Sequence, residues 1–276
     1  MASTNSSDTK QLLPEKMRAL VVTHDVDWPR NGPGLPHVLA RRDRFDADVI
    51  RKASEEGFNP YYGIPIVTEI EEQLHIRSTF FFRPNYDDGS NVDGYADTIK
   101  DLIKNRWEVG LHVNDPTTIE KIILEKKSIE KVTQSPVSGS RIHYLKVAND
   151  TFSNLAKAGL KYDSSLMYSK DKIDSRNTGF TLRGGLVVFP ITFMDAYLFT
   201  YTGLNEENVA KFVLNAMDSL YLSGAQIIML LWHDSSVMMK GGRAYSNLIR
   251  QIADKPDLVS LKAIEAFEMV RKAKNH

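Results

Sequence analysis

Carboxylate and imidazole side chains directly follow apolar runs at three places in this sequence. Asp25 and Asp27 follow the run RALVVTH, His112 follows WEVGL, and His233 follows IIMLLW. Apolar runs of this kind are typical of buried strands, and the carboxyl ends of parallel strands meet at one edge of a sheet. The sequence therefore predicts that these titratable or metal-ligating groups gather at one site.

The pair Asp25 and Asp27 has the spacing of two side chains on one face of an extended strand. Two carboxylates in one cavity repel each other unless a cation lies between them or one is protonated. The pair therefore indicates a metal site or a proton-transfer site. The alternative is a loop turn with solvated aspartates, which the preceding buried-type strand and the neighbouring His24 and Trp28 disfavour.

A second set of candidate ligands follows His112. Asn114 and Asp115 offer oxygen atoms that suit a divalent ion beside an imidazole. The segment from Asp115 to Thr117 is also a plausible helix start, because Thr117 and Glu120 have capping-box spacing. Asp115 thus has two interpretations, metal ligand or helix cap.

Two further segments contain candidate functional side chains. Arg141, His143 and Tyr144 lie within four residues on a non-helical stretch, and an arginine beside a carboxylate keeps it ionised and oriented. His233 leaves an apolar strand, where an acid-base role is plausible, and Asp195 is a candidate hydrogen-bond acceptor for it. A surface arginine and a core histidine are the alternatives.

Composition limits the class of protein. The chain has 276 residues, 35 basic and 35 acidic side chains, and no cysteine. Zero net charge gives no field that favours nucleic acid or an anionic membrane, and no apolar stretch approaches the ~20 residues of a membrane span. We expect a soluble protein with no nucleic-acid or membrane partner, in which imidazole and oxygen must hold any metal.

Apolar runs and amphipathic segments alternate along the chain, which predicts an α/β fold with a parallel sheet. The predicted strands are Ala19–Thr23, Ser78–Phe82, Val109–His112, Leu186–Ile191, Gln226–Trp232 and Leu258–Leu261. The predicted helices are Asp46–Glu56, Ile66–His75, Tyr95–Asn105, Thr118–Val132, Thr151–Ala158, Glu206–Leu222, Ala244–Ala253 and Ala263–Lys272.

Two segments depart from this alternation. Residues 1–15 are polar and lack the apolar core of a signal peptide, so we expect a flexible tail, a single domain over 16–276 and a cytoplasmic location. The connection from Trp28 to Pro65 is rich in proline and glycine and is long enough to fold over the strand ends as a lid.

Taken in order, these motifs resemble those of the polysaccharide deacetylases, the NodB-homology family of metal-dependent carbohydrate de-N-acetylases. The matching segments are Thr23–Asp27, Ser78–Phe82, Trp107–His112, Ser140–Tyr144, Phe189–Asp195 and Leu231–His233. The resemblance implies a distorted (β/α) barrel of parallel strands with outer helices and an open groove over the strand ends.

The resemblance also implies roles for the candidate residues. Asp25 is the general base, oriented by Arg141, and His233 is the general acid, supported by Asp195. Tyr144 contributes its backbone N–H to the oxyanion. The resemblance further implies Asp27 and His112 as metal ligands, Asp115 as the candidate third ligand, and His143 and Trp232 beside the substrate.

Three positions depart from the family pattern. Pro116 replaces the second histidine of the second motif, His143 stands where the family prefers proline, and His24 stands where an aromatic residue is common. Either Asp115 completes the ligand set, or the site binds metal weakly or not at all. These departures indicate an altered substrate or lost activity.

The leading hypothesis is a metal-dependent hydrolase that removes an N-acetyl or other N-acyl group from a sugar or glycan. Zinc is the expected metal, with cobalt, nickel and manganese as alternatives. A catalytically silent member that binds a glycan or a protein partner is the first rival. A hydrolase of a small N-acylated amide is the second. The sequence does not name the sugar or the oligomeric state.

Overall fold

A ten-stranded sheet organises the part of the chain that the computed structural model describes, residues 18–274. The tail predicted over residues 1–15 lies outside that range. The strands are β1 (Arg18–Val26), β2 (Thr79–Phe82), β3 (Glu108–Val113), β4 (Gly139–Ile142), β5 (Tyr162–Asp163), β6 (Thr181–Arg183), β7 (Leu186–Val188), β8 (Phe193–Met194), β9 (Ile227–Leu231) and β10 (Leu258–Leu261).

The strand order is β6-β7-β5-β4-β3-β2-β1-β9-β8, with β10 paired to the first half of β1. Every pairing is parallel except that of β6 with β7. The curled sheet forms an incomplete barrel. Parallel strands with outer helices, which the sequence predicts, are confirmed.

Helices connect most of the strands. They are α1 (Leu35–Ala40), α2 (Ala47–Glu55), α3 (Ile64–Gln73), α4 (Ala96–Lys104), α5 (Ile119–Thr133), α6 (Thr151–Lys157), α7 (Asp195–Thr200), α8 (Glu206–Leu222), α9 (Ala244–Ala253) and α10 (Ala263–Lys274). The predicted cap of α5 is displaced by one residue, because Thr118 rather than Thr117 accepts the backbone N–H of Lys121.

Alternation along β1 assigns its side chains to two cores. Leu20 and Val22 belong to the larger cluster between the sheet and the outer helices. Ala19 and Val21 belong to a second cluster, which α10 completes with residues such as Phe267. Because side chains alternate along a strand, Thr23, Asp25 and Asp27 continue the second face and His24 faces the outer helices.

Candidate active site

The candidate site lies where five parallel strands end. Asp25 is the penultimate residue of β1, His112 the penultimate residue of β3, and His143 directly follows β4. Asp195 directly follows β8, and His233 lies two residues after β9. Strands β4, β3, β2, β1, β9 and β8 are consecutive neighbours in the sheet, so the side chains that follow them meet at one edge.

Asp25 is held by a buried arginine. Nη1 of Arg141 lies 3.3 Å from Oδ1 and 3.5 Å from Oδ2 of Asp25. Nη2 of Arg141 donates to the hydroxyls of Thr23 (3.0 Å) and Ser164 (3.1 Å), which fixes the plane of the guanidinium. Only 3% of Asp25 is exposed, and Arg141 is fully buried. The arginine therefore orients a carboxylate that is almost completely buried.

Asp27, His112 and His143 form a compact group of ligand atoms that lie within 4.8 Å of one another. Oδ1 of Asp27 lies 3.1 Å from Nε2 of His112 and 3.3 Å from Nδ1 of His143, and these two nitrogens are 3.2 Å apart. Although burial opposes ionisation, the hydrogen bonds from His112 and His143 hold the pKa of Asp27 well below its usual value.

The donor set suits a divalent cation. Nδ1 of His112 lies 2.9 Å from the carbonyl oxygen of Arg141 and donates to it, so loss of the Nε2 proton would present a lone pair toward Asp27 and His143. Ligand atoms at bond lengths of about 2.0–2.1 Å from one ion are separated by roughly 2.9–3.4 Å, close to the separations seen here. One carboxylate and two imidazoles match the ligands that zinc and related ions prefer.

His233 is paired with a buried carboxylate. Its Nδ1 lies 2.6 Å from Oδ1 of Asp195, and its backbone N–H donates to Oδ2 at 3.0 Å. The hydroxyl of Ser236 also donates to Oδ2, at 2.5 Å. Burial alone would lower the pKa of His233, but the Asp195 carboxylate, with smaller contributions from Asp27 and Asp25, raises it to about 10. Nε2 of His233, on the side of the ring away from Asp195, lies 3.6 Å from Oδ2 of Asp27.

A cavity of about 850 Å³ adjoins the candidate site, and Asp27, Asp195 and His233 form part of its lining. The Trp28–Pro65 connection, predicted as a lid, forms part of its wall through Trp28 and Tyr61, among others. The cavity is large enough for a sugar unit, within the range usual for small-molecule sites.

Asp115 does not join the group of ligands. Its carboxylate accepts hydrogen bonds from the ammonium group of Lys121 at 2.6 Å and from the backbone and hydroxyl of Thr117. These donors lower its pKa to about 2. The structure places Asp115 as a turn residue before α5, and His143, for which the sequence predicts a place beside the substrate, is the third member of the group that could hold an ion.

Trp232 is not at the substrate cavity either. The residue is fully buried, and its ring packs against Tyr245 and Phe199 because it lies on the strand face opposite Leu231. Tyr144, by contrast, lines the cavity and is 69% exposed. Its backbone has φ 59° and ψ 10°, a left-handed conformation that is uncommon for a tyrosine and often marks a functional turn.

Asp234, next to His233, is a buried carboxyl group with no cationic partner among residues 18–274. Burial raises its pKa to about 8, and Oδ2 accepts the backbone N–H of Gly63 at 3.2 Å. Because this folded-state pKa lies above the unfolded value, the contribution of Asp234 to stability is full below about pH 4. That contribution is lost as the pH rises through 8.

We therefore expect the metal-free protein to lose stability, on the order of a few kcal/mol, between pH 5 and pH 8.5 relative to Asp234→Asn. Asparagine keeps an acceptor for Gly63 but does not ionise. Urea unfolding at both pH values measures the difference. Parallel changes in the two proteins would show that Asp234 does not titrate in this window.

No protein-family model and no curated protein matches the sequence. Solved structures do match. A protein from Mycobacterium smegmatis described as a polysaccharide deacetylase is 18% identical, with a TM-score of 0.67, covering 95% of this chain and 92% of that one. The PuuE allantoinase is 14% identical, with a TM-score of 0.69, covering 98% and 96%. A CE4 family pseudoenzyme from Bacillus anthracis is 12% identical, with a TM-score of 0.53, covering 92% and 66%.

These similarities establish the fold. The distorted (β/α) barrel of the polysaccharide deacetylases, which the motifs predicted, is confirmed. Identities this low carry no information on the substrate. Among residues 18–274, no helix combines the length and the apolar character needed to cross a membrane.

Proposed function

We propose that this protein is a metal-dependent hydrolase that removes an N-acetyl or related N-acyl group from a sugar or glycan. The observation that supports it best is the close approach of three units at the strand ends, with Nε2 of His112 3.8 Å from Asp25 and Nε2 of His233 3.6 Å from Asp27. They are the Asp25–Arg141 pair, the Asp27–His112–His143 ligand group and the His233–Asp195 pair. Zinc is the proposed ion, and cobalt, nickel or manganese would suit the same ligands.

When bound by Asp27, His112 and His143, a divalent ion supplies the Lewis acidity that polarises the acyl carbonyl and makes a water nucleophilic at neutral pH. Asp25 then takes the proton of the attacking water on a carboxylate oxygen, while Arg141 holds that carboxylate in place. The left-handed turn at Tyr144 presents its backbone N–H to the oxyanion of the tetrahedral intermediate.

The leaving amine needs a proton at its nitrogen. His233 carries that proton on Nε2 at neutral pH, because Asp195 raises its pKa to about 10. Its transfer to the amine allows the C–N bond to break and leaves a neutral imidazole that Asp195 keeps oriented. The aromatic rings of Trp28 and Tyr61 form an apolar wall against which a sugar ring can pack.

The test is acetate release from N-acetylglucosamine oligomers by protein stripped with a chelator and then reloaded with Zn²⁺ or Co²⁺. We expect no release from the stripped protein and recovery with the ion. If the oligomers bind but no ion restores release, the protein is a silent glycan-binding member of the fold and the hydrolase proposal is wrong.

One observation favours a second candidate, a hydrolase of small amides. The Trp28–Pro65 connection contributes to the cavity wall, as a cover over a small substrate would. The similarity to an allantoinase is consistent with this alternative. Faster turnover of monomeric N-acyl compounds than of oligomers would support it.

A further inference from the structure

The cavity over the candidate site has a cationic wall. Arg41, Arg44 and Lys240 line it together with Asp27 and His233. Arg41 and Arg44 lie at the end of α1 and in the short turn after it, within the Trp28–Pro65 connection. The backbone N–H of Lys240 donates to the carbonyl oxygen of Arg44 at 2.8 Å, which ties the segment after β9 to this wall.

No carboxylate oxygen lies within 4 Å of these three cations in the described part of the chain. The nearby acidic groups of the lining are mostly paired elsewhere, Asp195 with His233 and Glu206 with Arg243. Glu207 also lines the cavity, and it forms no ion pair among residues 18–274. The wall thus holds an excess of positive charge that the protein does not neutralise.

A chain of contacts joins the reaction centre to this wall. Trp28 follows Asp27 directly, its ring lies 4.6 Å from that of His37, and Nδ1 of His37 lies 3.2 Å from Nη1 of Arg41. Burial and then the charges of Arg41 and Arg44 lower the pKa of His37, consistent with a positive field at this end of the cavity.

We infer that the substrate carries an anionic group, a carboxylate or a phosphate, which Arg41 and Arg44 bind while the N-acyl group lies at the Asp27–His112–His143 centre. Two guanidinium groups on one turn suit either anion, because each presents paired N–H donors to two oxygens. The reaction part of this inference rests on the proposed function. The anion preference rests on the cavity wall alone.

The experiment measures binding by calorimetry to the Asp25→Asn variant, which would not consume its ligand. The three probes are N-acetylglucosamine, its 6-phosphate, and the same sugar with a carboxylate at C6. We expect at least one anionic sugar to bind at least about tenfold more tightly than the neutral sugar, with an advantage that shrinks as salt is raised. The stronger of the two anionic probes identifies the anion.

The matched variants are Arg41→Gln with Arg44→Gln, and Arg42→Gln as the control. Arg42 lies on the same turn and is exposed, but it does not line the cavity. The paired substitution should abolish the preference for the anion, and the control should keep it. Equal binding of all three sugars, no binding of any, or the same loss in the control would overturn the inference.

Failure of this inference is distinguishable from failure of the proposed function. A protein that prefers the anionic sugars but releases no acetate from them with any metal would contradict the hydrolase and leave the binding inference standing. Rapid hydrolysis of the neutral sugar with no preference for an anion would do the reverse.

Discussion

Replacing Asp25 with asparagine is expected to lower kcat by about 10²–10⁴-fold, the range typical of losing a general base. Asparagine has nearly the same shape and still offers Arg141 an oxygen, but its amide does not take the proton of an attacking water. Because Asp25 lies outside the Asp27–His112–His143 group, the variant should keep its metal. Steady-state kinetics and elemental analysis of the same preparation measure both properties.

The control is Asp97→Asn in α4, whose side chain is 99% exposed and which lies outside the site. It should retain wild-type kcat. If Asp25→Asn turned over the substrate at a rate near that of the control, the assigned base would be wrong. If it lost its metal as well, Asp25 would be a ligand.

The second large effect concerns stability. Glu71 is fully buried in α3, and its carboxylate accepts four hydrogen bonds. The donors are His24 at 2.9 Å and Tyr245 at 2.6 Å on one oxygen, and Ser78 and Trp107, both at 2.7 Å, on the other. This cluster joins α3 to β1, to α9 and to the residues that directly precede β2 and β3.

His24 connects this cluster to the site. Its other nitrogen, Nδ1, lies 2.6 Å from the carbonyl oxygen of Trp232. Both ring nitrogens of His24 therefore have an oxygen partner, one on Glu71 and one on the main chain. The pair joins the end of β1, next to Asp25, to the residue before His233, so it positions Asp25 relative to His233.

Glu71→Leu should therefore destabilise the protein by about 3–5 kcal/mol, since each buried donor left unsatisfied costs about 1–3 kcal/mol. Leucine fills much of the space but leaves four buried donors without an acceptor. Urea unfolding measures the change. Glu72→Leu is the control, because Glu72 is the next residue and its side chain is 63% exposed. A loss below about 1 kcal/mol for Glu71→Leu would contradict the role given to the cluster.

Most of the sheet was predictable because its longer strands are continuous apolar runs. The predicted strand Ala19–Thr23 lies within β1, and Gln226–Trp232 contains β9. The strand β4 was missed because its sequence, GSRI, is half polar. Its arginine is buried only because Asp25, Thr23 and Ser164 surround it, and sequence spacing does not reveal such partners.

The same missed strand explains why the predicted ligand set differs from the group that the structure brings together. Register pairs His112 on β3 with Arg141 on β4, and that places His143, two residues later, beside Asp27. Asp115 is nearer to His112 in sequence, but Lys121 and Thr117 hold it in the turn before α5. Parallel-sheet geometry predicts that residues at the strand ends converge. The choice between Asp115 and His143 depends on the register of β3 with β4, which the sequence does not reveal.

Metal content tests the central claim most directly. Elemental analysis of purified, zinc-loaded and dialysed protein should find about one divalent ion per chain. Asp27→Ala, His112→Ala and His143→Ala should each lose that ion, and Asp115→Ala should keep it. An ion retained by His143→Ala, or lost from Asp115→Ala, would contradict the ligand group from which the proposed chemistry is built.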